Sequence, residues 1–238
     1  MIPAVASASV LGDGPVLRVN GPGVASNSSS IPSYLSMTIP SQAQVNDYIV
    51  ICTSNATVMD SSYARASRWV PFYHNIAGGT YGEYVTLWIT ICESADIGDT
   101  VRLNASPYNF NALMYVFTNP NKTDIQSIYG SPVFYHYPSN IESNLTLSSS
   151  DVTSLSVPAF PNKKFPPNYL RFTACAFNPT STYANASYSG SGTSRTQNDS
   201  YWWRSVIGVV ETGSTNSTSV GTFSCSSGSV AAQTIYLI

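Results

Sequence analysis

What most constrains this chain is a repeated local pattern: short runs in which apolar and polar side chains alternate, cut by clusters of Gly, Pro, Asn and Ser, with no stretch that holds a helical period. Eleven such runs can be drawn: Pro15 to Val19, Asp47 to Thr53, Arg68 to Tyr73, Glu83 to Cys92, Thr100 to Ala105, Ala112 to Thr118, Ser154 to Ala159, Tyr169 to Phe177, Trp203 to Glu211, Ser219 to Cys225 and Val230 to Ile238. Period-two alternation buries one face of a strand and leaves the other wet. The pattern therefore predicts an all-β fold, an antiparallel β-sandwich of jelly-roll type with long polar loops. Val50, Leu87, Ile89, Ile91, Leu103, Tyr115, Phe172, Val209 and Ile235 are its expected core, and the only helical turn expected is near Thr123 to Ile128.

Residues 1–20 read as an N-terminal arm and first strand, and 21–238 as a single β-sandwich domain. The Pro-rich stretch "VPAFPNKKFPPNY", Val157 to Tyr169, has the composition of a linker, but the strand runs on either side leave neither half a convincing count of its own. Two loops resemble each other: "NATVMDSSYARASRW" from Asn55 and "NASYSGSGTSRTQNDSYWW" from Asn185 both run from Asn-Ala through Ser and Arg to Trp. In a chain so rich in Ser, chance is one source of such a likeness.

Charge excludes whole classes of function. Charged residues make up 9% of the 238 and the formal net charge is -2, so the chain has neither the basic face a nucleic acid requires nor an acidic tail. No apolar run approaches the roughly 20 residues of a spanning helix. The chain reads as soluble, without membrane insertion, and its N-terminus lacks the basic and apolar regions of a secretory signal. Disorder is opposed by 43% hydrophobic and 12% aromatic content.

The acidic cluster in "WITICESADIGDTVRLNAS" raises the question of chemistry, because Glu93, Asp96 and Asp99 lie close together in a chain poor in charge. Alternation on both flanks and the turn residues of "ESADIGD" make it a hairpin turn. No catalytic residue is expected. Nothing matches G-x-S-x-G, His74 and His136 stand singly among aromatics, and no pair of carboxylates is singled out for glycoside hydrolysis. "GDGPVLRVNGPG" lacks the strand, loop and helix order of a phosphate loop. No metal or cofactor is expected, since no C-x-x-C pair or His cluster occurs.

Cys52, Cys92, Cys175 and Cys225 allow two disulfides in three connectivities or stay as buried thiols, and at least one bridge is expected. The triplet N-x-[ST] occurs at Asn27, Asn55, Asn104, Asn121, Asn144, Asn185, Asn198 and Asn216, eight sites that predict N-glycosylation, with Asn104 disfavoured because it closes a strand. "YWWRS" offers Tyr201 and Trp202 as aromatic faces for sugar rings, or as rim and core packing.

The order of features resembles β-sandwich modules of phage and virus structural proteins, found in tail, fibre and capsid-decorating chains. "QVNDYIVICTS" (Gln44 to Ser54) is similar to their early strand, with Asn46 where a Gly is usual. "RWVPF" (Arg68 to Phe72) resembles the Trp-bearing strand that follows, and "YVTLWITICESADIGDTVRLNAS" (Tyr84 to Ser106) their acidic-turn hairpin. "ALMYVFTN" and the closing "SGSVAAQTIYLI" complete the likeness. The resemblance implies a non-enzymatic virion protein at the particle surface, contacting other copies of itself, other virion subunits and host-surface glycans. Scarce carboxylates and many Ser, Thr, Asn and Tyr would suit a virus of a hot, acidic archaeal habitat. Two other readings stand beside it. One is a secreted carbohydrate-binding module; the other is a cell-surface filament or S-layer subunit whose segment Ile2 to Val19 is donated as a strand to a neighbour.

Overall fold

In the computed structural model, the described residues are 14–25, 33–54, 57–75, 84–105, 110–122, 154–156, 170–178, 186–198, 205–212, 221–224 and 229–237. They form strands, turns and one 3-10 turn at Ala66–Arg68. In chain order the strands are β1 (Leu17–Ala25), β2 (Ser33–Thr38), β3 (Tyr48–Thr53), β4 (Thr57–Met59), β5 (Val70–Asn75), β6 (Tyr84–Ile91), β7 (Thr100–Ala105) and β8 (Asn111–Phe117). They continue as β9 (Ser154–Ser156), β10 (Leu170–Asn178), β11 (Ser187–Ser189), β12 (Thr193–Asn198), β13 (Ser205–Thr212), β14 (Thr222–Ser224) and β15 (Ser229–Leu237). Every expected run overlaps a strand, and the turn expected at Thr123 to Ile128 lies outside the described residues.

All pairings are antiparallel. They build four sheets: a first ordered β1-β8-β3-β6-β5, a second β2-β7-β4, a third β12-β13-β10-β15 and a fourth β11-β14-β9. The first sheet is covered on both faces. On one, Ile49, Ile51, Trp88, Met114 and Val116 pack against Leu35, Met37, Val101 and Leu103 of the second sheet. On the other, Tyr48, Val50, Leu87, Ile89, Tyr115 and Phe117 meet Phe172, Ala174, Val206, Val210, Ile235 and Leu237 of the third. Double burial explains why β3 and β8, "YIVICT" and "NALMYVF", are buried at every position. The expected core residues are buried, except Ile91, which is only partly covered at the end of β6.

The fourth sheet lies over the outer face of the third. Tyr188 and Phe223 there, with ring centroids 5.0 Å apart, close over Arg171, Thr173, Val209 and Glu211.

The architecture is a duplication. In the first sheet Tyr48 pairs with both Ile91 and Phe117; in the third, Leu170 pairs with both Thr212 and Leu237. Across the second sheet runs the row Leu35, Leu103, Met59, and across the fourth the row Leu155, Phe223, Tyr188. Strand for strand, β2 to β8 correspond to β9 to β15, in the same sheet order and with the same pairing. The two sandwiches meet so that each plays the same part toward the other: β12 and β13 pack on β8, as β5 and β6 pack on β15.

Side chains adapt to this meeting. Tyr115 and Ile235 hold equivalent places, as do Leu87 and Gly208. Where the large Tyr115 lies, the facing residue is Gly208, at which a Cβ would come 2.3 Å from the Tyr115 hydroxyl. That hydroxyl donates to the Gly208 carbonyl at 3.3 Å. Only glycine leaves room there.

Candidate functional site

The acidic segment is not the hairpin turn that the sequence predicts: β6 belongs to the first sheet and β7 to the second, so the turn carries the chain from one sheet to the other. It is the densest polar constellation among the described residues. After β6 the chain turns through residues 94–98, and Gly98 takes φ +77°, the left-handed backbone that glycine allows without strain. Asp96, 1% exposed, folds back to accept the Glu93 N–H at 2.7 Å. A buried carboxylate needs partners. Two arginines flanking the 3-10 turn supply them: Arg65 Nε at 2.9 Å and the Arg68 guanidinium at 3.0 Å. Arg65 reaches on to Asp99 at 2.7 Å and to the Ala95 carbonyl; Arg68 also holds the Ile91 carbonyl at 2.7 Å and Glu93 at 3.1 Å.

All three acids are thus tied by guanidinium to the strand that follows. The arrangement clasps β5 to the turn between β6 and β7.

A second clasp sits at the entry to β3. Asn46 takes φ +76°, the left-handed backbone that asparagine adopts more readily than most residues. This aims Asp47, 3% exposed, at Arg18 of β1, with Nε at 2.5 Å and a second guanidinium nitrogen at 3.0 Å. A third pair, Arg171 with Glu211, lies between the third and fourth sheets, both side chains largely buried. The cavity beside it holds about 10 Å³, room for one water at most, although the buried Tyr188 hydroxyl facing it has no hydrogen-bond partner. Burial pushes the Tyr188 pKa up, helped by the nearby Glu211 charge. Arg195 of β12 joins the two sandwiches: it donates to the Gly21 carbonyl at 2.6 Å and lies 6.0 Å over the Tyr115 ring.

Cys52 and Cys92 are buried thiols in different cores, so the expected bridge does not join these two: Cys52 belongs to the core between the first and third sheets and Cys92 to that between the first and second. Cys175 is a buried residue of β10 in the third sheet. Cys225 lies outside the described residues. Burial pushes the thiols of Cys52 and Cys92 up to about 12 from an ordinary value of 9.0. Between those values the folded chain holds protons that the unfolded chain releases, so stability should fall as pH rises above about 9. Cys52→Ala should flatten that fall by about 1.4 kcal/mol per pH unit. Denaturation against pH checks this. A thiol reagent at pH 8 should leave Cys52 and Cys92 unmodified until the chain is unfolded.

Of the glycosylation candidates, Asn121 is exposed in the turn after β8, and Asn198 ends β12. Asn104 lies in β7 on the outer face of the second sheet, in one row with Tyr34 and Val58, whose side chains are 56% and 55% exposed. Closing a strand does not hide it. Glycans on Asn104 and Asn121 should raise the intact mass of protein from its native host above 25.5 kDa, and Asn104→Gln and Asn121→Gln should each remove a step of that excess. A native mass equal to the bare chain contradicts this.

Asn27, Asn55, Asn144, Asn185, Asn216, Tyr201, Trp202 and His136 lie outside the described residues. Among the described residues no three His, Cys, Asp or Glu side chains converge as metal ligands, and no helix is long and apolar enough to cross a membrane. Sequence reasoning missed Arg65 and Arg68 as partners of the acidic turn, and their three-residue spacing in "YARASRW" was the available signal. No protein-family model, curated protein or solved structure matches this chain.

Proposed function

We propose that the chain is a non-enzymatic structural subunit exposed on a virion, working through contacts with its own copies and other shell proteins and with host-surface glycans at its outer loops. The observation that carries this reading is the strand order. In the first sandwich β1-β8-β3-β6 faces β2-β7-β4, the alternation of a jelly roll, except that β5 joins β6 in the first sheet. Among the described residues the second sandwich repeats β2 to β8 of this order as β9 to β15. Jelly rolls serve viral capsids and lectins.

Two further observations support it. The described acids of the polar clusters are engaged by arginines in structural clasps, and the cavity between Arg171, Tyr188 and Phe223 holds no more than a water. The sequence is rich in Ser, Thr, Asn and Tyr and only 9% charged, a composition that lowers the desolvation cost of packed contacts. Electron microscopy of native source material with antibody labelling tests the proposal. Labelled particles at regular spacing are expected. A chain found free and monomeric, absent from particles, would contradict it and favour the secreted glycan-binding module.

A further inference from the structure

We propose that the outer face of the second sheet is the seat of an N-linked glycan carried by its own Asn104, with the first sugar ring lying on the Tyr34 ring and Val58 closing the other side. This rests on the use of the sequon at Asn104 and goes beyond it: the sugar becomes part of the packing of the fold.

Alternation fixes which side chains share this face. Leu35, Leu103 and Met59 form one row across β2, β7 and β4, and it is turned to the core, where Leu35 and Leu103 are buried. The neighbouring row of Tyr34, Asn104 and Val58 is turned to water, with Asn104 directly opposite Tyr34 on one side and Val58 on the other. Residues so paired have Cβ atoms about 5 Å apart, so both side chains stand within reach of a ring attached to the Asn104 amide.

The exposure of this row is the second observation. Among the described residues the large hydrophobic side chains left exposed are Val16, Tyr34, Val45 and Val58, and two of these four are the pair that flanks Asn104. Scattered singly, such residues need no explanation; placed on either side of a sequon asparagine, they form walls for what it carries. The Tyr34 ring is also oriented. Arg102, two residues before Asn104 on the same strand, sets its guanidinium 5.7 Å from the ring centroid and its Nη1 3.5 Å from Asp60, which in turn accepts the Ser62 N–H. A pyranose presents a face of C–H groups that packs on the electron-rich face of an aromatic ring. Ser36 and Thr38, exposed on the same face of β2, offer hydroxyls to the sugars that follow.

The backbone meets the remaining requirement. Asn104 belongs to the central strand of its sheet and is paired on both sides, so its Cα–Cβ bond has a fixed direction. A sugar attached to a fixed point loses less freedom when it settles on a neighbouring ring than one attached to a mobile point. Asn121, exposed in the turn after β8 and not part of a strand, supplies the internal contrast.

The test is a double-mutant cycle on the full chain, secreted from a yeast host behind a cleavable signal sequence and trimmed with an endoglycosidase that leaves one N-acetylglucosamine at each used site. Ser106→Ala removes the sugar without altering Asn104, Tyr34→Ala removes the ring, and chemical denaturation reads each corner of the cycle. The sugar at Asn104 should raise the folding equilibrium constant roughly fivefold when Tyr34 is present and should leave it unchanged in the Tyr34→Ala chain. Tyr34→Phe, which keeps the ring, should keep the gain. In the chain with Tyr34, the C–H protons of that sugar should show upfield ring-current shifts that vanish in Tyr34→Ala. The sugar at Asn121, removed by Asn121→Gln, should change the folding constant equally with and without Tyr34. Sugar found at Asn121 but none at Asn104 overturns the proposal and leaves the wider expectation of glycosylation standing, whereas a chain bare at every sequon overturns both. Sugar at Asn104 with unshifted protons and the same effect in both backgrounds overturns the seat on Tyr34. Each of these failures leaves the particle labelling experiment, and the virion reading it tests, unaffected.

Discussion

Replacing Phe172 with alanine is expected to destabilise the chain by about 3–5 kcal/mol, the cost of emptying an aromatic site in a core that cannot collapse around it. Phe172 is fully buried at the meeting of the two sandwiches. Its ring makes edge contacts with Tyr115 at 4.8 Å and Phe117 at 5.8 Å. Those contacts cross from the second sandwich to the first, so the loss falls on the joint between them. The wild-type chain should unfold in one transition in denaturant, because neither sandwich has another cover for this face. Phe172→Ala should separate that transition into two, and Phe172→Leu, which keeps more of the volume, should weaken stability without separating it. A loss below about 1 kcal/mol would mean that the ring does not sit in a shared core.

Asp96→Ala should cost about 3 kcal/mol, toward the low end for breaking a buried ion pair. The carboxylate is buried, but the two guanidiniums it holds are 26% and 27% exposed and regain some water when it is removed. The Glu93 N–H also loses its acceptor. Asp96→Asn retains one acceptor oxygen and should lose less, while Glu93→Gln, on a side chain 60% exposed, should lose little. If Glu93→Gln proved as costly as Asp96→Ala, the clasp would not be centred on Asp96. Chemical denaturation of the three variants decides this.

These two sites differ in how far they could be read from residues alone. The central strands were legible because burial on both faces writes itself as continuous apolar runs, as in "YIVICT" and "ALMYVF". The three-residue β4 and β11 fall below the length at which alternation shows, and "TSRTQN" of β12 is polar throughout. β2 does alternate, with Leu35 and Met37 buried and Tyr34 exposed, but it follows a Ser-rich stretch that reads as loop. The turn residues of the acidic segment were legible; its passage from one sheet to another and its arginine partners were not, because the arginines lie in the connection between β4 and β5, remote in sequence.

The duplication was almost invisible in the sequence. Equivalent rows hold different solutions to the same packing: Leu103 and Met59 in one sandwich, Phe223 and Tyr188 in the other. The exchange of Leu87 for Gly208 against Tyr115 goes further, since it requires the two halves to differ. The likeness of the loops at Asn55 and Asn185 was its surviving trace, for they lead into the equivalent strands β4 and β11. Their tryptophans do not correspond, because Trp69 precedes β5 whereas Trp203 follows β12. Nor does spacing along a chain say which of several cores a cysteine enters, as the separation of Cys52 from Cys92 shows.

The claim on which the rest depends is that the first and third sheets stack face to face and join the two sandwiches. Nuclear Overhauser contacts of the Tyr115 ring in the folded chain test it most directly. Cross-peaks to the Phe172 ring and to the α protons of Gly208 are expected, given a centroid distance of 4.8 Å and a hydroxyl 3.3 Å from the Gly208 carbonyl. A Tyr115 ring that shows contacts only within its own sandwich, or exchanges freely with solvent, would contradict the stacked arrangement.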